Sequence, residues 1–170
     1  MKLHEQRTGG ALASPGLRAD LAQTVALRAA VCVTSAVPSD AARRVLTLAA
    51  QLGYPRPVAV DGLAAGTFTQ VLDALYQALI LDLRYGPRPR EQAKAHRRIE
   101  KELQRRIRVV VIVTDAQALT LGALRYLATL EGWGGERVPL VLTGAPQLMA
   151  SVDRAPALVR RLHAWHPLPR

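Results

Sequence analysis

Side chains able to do chemistry are gathered at a few places in this 170-residue chain. The first is Thr114-Asp115-Ala116-Gln117, which directly follows the unbroken apolar run Val109 to Val113. Such a run reads as a strand buried on both faces. Its end is the edge of an open α/β sheet at which ligands bind. Asp115 can equally cap a following helix, and Thr114 can be an ordinary strand-end residue. The second place is a basic stretch: from Arg84 to Arg108 there are ten Lys or Arg and three Glu. Lys94, Arg97, Arg98, Lys101, Arg105 and Arg106 form either a solvated helical face or a surface for phosphates. No aromatic residue is interleaved with them, which argues against a stacking platform for single strands. Any DNA binding would then be to duplex, led by the backbone and weakly sequence-specific. The third is Arg160-Arg161, a pair that is ordinarily a solvated face. The fourth is His163 and His166, flanking Trp165. With no Cys or carboxylate near them in the sequence, no metal site is expected. A Ser/His/Asp elbow, zinc spacing and a dinucleotide fingerprint are all missing, and Gly62 and Gly66 are too isolated to count as one.

The elements that must position these groups alternate. Ala29 to Thr34 reads as a strand. The loop Ser35 to Asp40 follows, and Ser39 or Asp40 is expected to cap a helix over Ala41 to Leu52 that Gly53 stops. Val58 to Val60 is a second strand. Thr67 or Gly66 caps a helix carrying Phe68, Val71, Leu72, Leu75, Leu79 and Leu83, which Tyr85-Gly86-Pro87 ends. Ile99, Leu103 and Ile107 give the basic stretch one apolar stripe, so it reads as a surface helix inserted at about 88–107. After the central strand, Leu121, Leu124, Leu127, Ala128 and Leu130 mark a further helix. Val138 to Thr143 is the next strand. Short helices start at Pro146 and Pro156, and the stretch from His163 holds one last strand. Before all of this, residues 1–14 read as a flexible arm, and Ser14 caps a helix that begins at Pro15 and carries Leu17, Leu21 and Leu27. The alternation implies a parallel sheet with helices on both faces, built as a single domain over 15–170.

Hydrophobic residues make up 49% of the chain and aromatics 4%, so the core is expected to be Ala, Leu and Val. The net charge of +10 favours polyanions, and it suits solubility or an acidic protein partner as well. The single Cys32 sits in an apolar run and reads as an inert buried thiol in a reducing compartment. With no membrane span and no signal-peptide pattern, the expected address is the cytoplasm.

The order of elements, the segment VVVIVTDAQAL (109–119) and the segment VPLVLTGAPQL (138–148) together resemble the AAA+ module of transposition-helper and ExeA-type ATPases, a group that includes TnsC, TniB and MuB. The resemblance implies a three-layer, P-loop NTPase-like α/β fold with a mostly parallel five-stranded sheet, here without the family's helical lid. It aligns the first segment with Walker B and the second with sensor 1, at Thr143. It aligns Arg160 and Arg161 with a helix that carries arginine fingers. The departures are concentrated at the nucleotide site. A P-loop needs G-x-x-x-x-G-K-[ST]. The equivalent residues run from Ser35 to Ala42: Ser35 and Asp40 stand for the glycines, Ala41 for the lysine, Ala42 for the metal-binding hydroxyl. Ser39 lies within the same loop, and Pro38 removes a backbone donor. Thr114 stands where the magnesium-organising Asp belongs. Asp115 stands for the water-activating Glu, with its carboxylate set back by about 1.5 Å. A displacement on that scale can cost ~100-fold in rate. The expectation is a pseudo-ATPase that needs no cofactor and acts as an interaction or regulatory module in DNA transposition or another DNA-associated assembly. Its implied partners are an ATP-competent AAA+ subunit or a transposase, and duplex DNA. The alternative is a divergent ATPase that still uses ATP and magnesium through Asp115.

Overall fold

Residues 15–54, 57–80 and 87–169 are described in the computed structural model of the chain. The expected arm over 1–14, the cap at Ser14, Leu83 and Tyr85-Gly86 lie outside them; the helix expected to carry Leu83 already ends at Leu79, with Ile80 as its C-cap. The β-branched apolar runs form strands β1 (Ala30–Thr34), β2 (Val58–Asp61), β3 (Val111–Thr114) and β4 (Leu140–Gly144), and the half-buried LHAWHP forms a fifth, β5 (Leu162–Pro167). They make one five-stranded sheet in the order β2-β3-β4-β1-β5, and every neighbouring pair is parallel. β1, β3 and β4 are therefore central, and their side chains alternate between two cores. Ala30, Cys32, Val111, Val113, Leu140 and Leu142 point into the larger one, and Val31, Val33, Ile112 and Val141 into the smaller. Burial on both faces is the reason these strands read as continuous apolar runs rather than alternating ones.

Helices α1 (Pro15–Ala26) and α2 (Pro38–Gln51) close the smaller core with Leu17, Leu21, Ala41, Val45 and Ala49. The larger core is closed by α3 (Phe68–Leu79), α4 (Gln92–Arg105), α5 (Leu121–Thr129), α6 (Leu148–Asp153) and α7 (Pro156–Arg161). Thr67 caps α3 with a reciprocal capping box to Gln70, and Thr120 caps α5, each satisfying an orphan N–H at the helix start.

Several local expectations are corrected. α2 starts at Pro38 with Val37 as its cap residue, earlier than a cap at Ser39 or Asp40 would allow; proline is preorganised for the first helical position, where no N–H is needed. α4 ends at Arg105, so Ile107 leaves the apolar stripe and is 73% exposed. Leu27 lies past the end of α1 and is likewise exposed. Among the described residues, no helix is long and apolar enough to cross a membrane.

Candidate functional site

The carboxyl edge of the central strands brings the ends of β1, β3 and β4 side by side. Ser35 N–H, just past β1, donates to the Gly144 carbonyl at the end of β4 (3.0 Å). At the end of β3 the chain makes a tight reversal. Asp115 takes a left-handed conformation (φ 49°, ψ 38°) and leads into a short 3-10 turn, Ala116–Ala118. Asp tolerates that region better than most residues with a β-carbon. Asp115 does not cap the turn with its side chain. Its Oδ1 instead accepts from the Gln117 side-chain amide (3.2 Å), and Gln117 Oε1 accepts from Ala145 N–H (3.0 Å). Gln117 thus staples the end of β3 to the loop after β4, lying over Gly144: a β-carbon there would sit 2.1 Å from Gln117 Oε1. On the other flank Gly62 N–H donates to the Thr114 carbonyl (2.8 Å). A β-carbon on Gly62 would fall 2.5 Å from the Asp115 carbonyl oxygen. Glycine at 62 lets the loop after β2 close against this reversal. Gln117 and Gly62 carry no local sequence signal for these roles, because both act across the sheet.

β1 and α2 are joined by only Ser35, Ala36 and Val37. The Ser35 hydroxyl accepts from Val37 N–H (3.1 Å), and Asp40 N–H donates to the Val37 carbonyl (3.0 Å). Asp40 lies in the first turn of α2 and pairs with Arg43 (2.6 Å), while Ser39 and Ala42 share that turn or the next. Ala41 is fully buried in the smaller core. Thr143 is fully buried, its hydroxyl directed at the Val113 carbonyl (3.4 Å). Thr114 pairs with Asp61 of β2 in the parallel ladder.

The two arginines on α7 diverge. Arg160 is exposed. Arg161 turns inward and donates to the carbonyls of Ala128 (3.0 Å), Arg28 (3.3 Å) and Val138. Burial first, and the Arg137 charge second, pull its pKa down to about 10, so it stays charged at neutral pH. As a guanidinium bound to three main-chain oxygens, Arg161 is a tie within the chain, and the reading of it as an arginine finger gives way to this one. Asp20, on α1, reaches the histidines of β5: its Oδ2 meets His166 Nε2 at 2.5 Å and its Oδ1 lies 3.9 Å from His163 Nε2. A carboxylate does approach this pair, contrary to the sequence reading, and it clasps α1 to the sheet edge. No group of three or more His, Cys, Asp or Glu among the described residues is arranged to hold a metal ion.

The basic helix α4 buries Ala95, Ile99 and Leu103 and turns Lys94, Arg97, Arg98, Lys101 and Arg105 outward. Lys94 pairs with Glu91 (2.7 Å) and Arg105 with Glu102 (2.8 Å); Arg98 donates to the Tyr76 hydroxyl (3.0 Å). Arg106 lies past the helix end and bonds back to the Leu79 carbonyl (3.1 Å), so it belongs to the scaffold more than to the outward face.

No curated protein matches the chain. Among solved structures it is similar to Cdc6p from Pyrobaculum aerophilum, with 14% identity and a TM-score of 0.60 over 86% of this chain and 44% of that one. It is similar to the Aeropyrum pernix ORC2 protein in its ADP form, with 11% identity and a TM-score of 0.62 over 91% and 47%. Drosophila ORC bound to DNA gives 14% identity and a TM-score of 0.62 over 91% and 29%. The chain therefore spans less than half the length of these three structures, and at such identities the likeness is one of fold. Residues 39–150, about two thirds of the chain, match the family described as AAA domain, and the chain belongs to that family.

Proposed function

We propose that this AAA domain is a pseudo-ATPase of the transposition-helper and ExeA-type group, acting as an interaction or regulatory module in a DNA-associated assembly. The observation that carries the reading is the connection between β1 and α2. It is three residues long, and a phosphate cradle needs a longer loop of unbonded N–H groups. Val37 N–H is already taken by Ser35, and Pro38 has none to give. The carboxylate of Asp40 stands in the first turn of α2, where the helix dipole would otherwise favour an anion. Ala41, at the position of the phosphate-binding lysine, faces the core. Thr114 offers a neutral hydroxyl in place of a metal carboxylate. The residues present do not fit a magnesium–nucleotide complex. Asp115, the one carboxylate at the expected catalytic position, is held by Gln117.

Without the cradle, phosphoryl transfer loses the positioning and charge neutralisation on which it depends. What remains is a basic surface. The net charge of +10 and the outward face of α4 support contact with DNA phosphates. The DNA-bound state of the structurally similar Drosophila ORC favours the same class of assembly. An ATP-competent AAA+ subunit or a transposase is the corresponding protein partner, and Arg160 remains exposed to meet it. Calorimetric titration with magnesium-ATP tests the proposal. No saturable heat is expected up to millimolar nucleotide, whereas tight binding, or hydrolysis lost in Asp115→Ala, would overturn it.

A further inference from the structure

Within the sequence no ring interrupts the basic run of α4, but the fold brings rings to it from other elements. Beside its first turns, Phe68 from α3 and Tyr126 from α5 meet edge to face, with centroids 4.8 Å apart and planes at 82°. His96 of α4 packs 5.5 Å from Tyr126 and bonds its hydroxyl through Nδ1 (3.0 Å). These rings, with Gln92, Ala93 and Thr129, line an open cavity of about 250 Å³. Near the other end of α4, the 3-10 turn Trp133–Gly135 packs on the helix, and a β-carbon on Gly132 would lie 3.8 Å from the Leu103 carbonyl oxygen. Gly134 (φ 68°) and Gly135 (φ 71°) shape this turn, and Trp133 on it is 51% exposed. Phe68 is the chain's only phenylalanine, and Trp133 is one of two tryptophans. Rare rings thus lie against the first turns of the most basic helix and near its last ones.

On a helical wheel Lys94, Arg97, Arg98, Lys101 and Arg105 fall within one arc of about 100°, facing away from the buried Ala95, Ile99 and Leu103. The flank of α4 that carries Ala93 and His96, with Phe68 and Tyr126 against it, lies beside that arc. Glu100, which also faces this flank, is tied to His96 Nε2 (3.2 Å). We propose that the basic arc of α4 and the rings beside it form a track for single-stranded nucleic acid. Phosphates lie on the Arg97 and Lys101 side, one base stacks on the Trp133 indole, and another enters the corner between Phe68 and Tyr126. A flat ring entering that corner meets one aromatic face to face and the other edge-on, both favourable geometries. A duplex presents only its phosphates to such a surface, because its bases are stacked inside. The inference rests on the reading of α4 as a phosphate-contacting face and adds to it the preference for unpaired bases.

The test uses the full chain and labelled oligothymidine of about 12 nucleotides, within the span of known single-strand sites, against a duplex of equal length. Anisotropy gives affinity, and tryptophan emission reports stacking. Saturable quenching by the single strand is expected, with affinity about tenfold above that for duplex. Trp133→Ala should weaken single-strand binding by about 5- to 100-fold and leave duplex binding unchanged. Trp133→Phe, which keeps a ring, should restore most of the loss. Neutralising Arg97 and Lys101 should flatten the salt dependence of both. Equal affinity for duplex, indifferent to Trp133, overturns the track and leaves the phosphate-contacting face standing. Binding of neither nucleic acid overturns both. Equal binding of polyglutamate, with the same quenching, also overturns the track, since polyanion attraction then suffices.

Discussion

Tyr126 carries a pH dependence that can be read in isolation. Its phenol is held well above the ordinary value of 10.0, first by burial and then by the charge of Glu100. In the unfolded chain the group ionises near its ordinary value, while in the folded protein it stays neutral to higher pH. The folded state therefore binds more protons than the unfolded state above pH 10.0, and stability falls as pH rises there. Tyr126→Phe removes this contribution along with the bond to His96. In urea titrations at neutral pH the variant is expected to be less stable by about 1 kcal/mol. Above pH 10.0 that deficit should shrink, and a constant deficit across the whole range would contradict the assignment. The role of Tyr126 was invisible in the sequence. Its partners Phe68, His96 and Glu100 lie on two other helices, and no spacing rule links them. Thr114, Asp115 and Ala41 were legible, because their positions follow from one strand end and one strand–helix junction.

Between β1 and α2, the sequence pattern predicted a strand, a turn and a helix in the right order. It placed the helix start too late, because Ser39 and Asp40 are better cap residues than Val37 by side-chain chemistry. Proline at position 38 decided the outcome through its backbone. The consequence is that Ala41 falls on the buried face of α2, in the smaller core. Ala41→Lys is therefore expected to bury an unpaired ammonium in the smaller core. It should cost about 3 kcal/mol or more and confer no nucleotide binding. Ala42→Thr, at a half-buried position, should shift the urea midpoint little. Equal tolerance of both substitutions would show that α2 begins elsewhere. Gly62 is constrained by its backbone too, because any β-carbon there meets the main chain of the Thr114–Asp115 reversal. Gly62→Ala should destabilise the protein by roughly 1–3 kcal/mol.

Across the whole molecule, alternation of strands and helices foretold a parallel sheet with helices on both faces. The local pattern did not encode which strands are neighbours, nor what ties the far side of the sheet. There the Arg161 guanidinium joins the end of α5, the entry to β1 and the approach to β4. Arg161→Ala leaves three buried or half-buried carbonyls short of a charged donor, so a loss of about 3–5 kcal/mol is expected in global unfolding. Arg161→Lys should recover less than half of this, because a single ammonium cannot span the three oxygens that the planar fork reaches. Full rescue by lysine would mean that charge alone, rather than the fork, holds these segments together. The strand order also bears on how the chain is made. Among the described residues β1 pairs only with β4 and β5, and about a hundred residues separate Thr34 from Leu140. At ribosomal speeds of about 5–20 residues per second, the apolar β1 emerges roughly 5–20 s before its first partner strand exists. During that interval both of its edges are open to pairing with other strands.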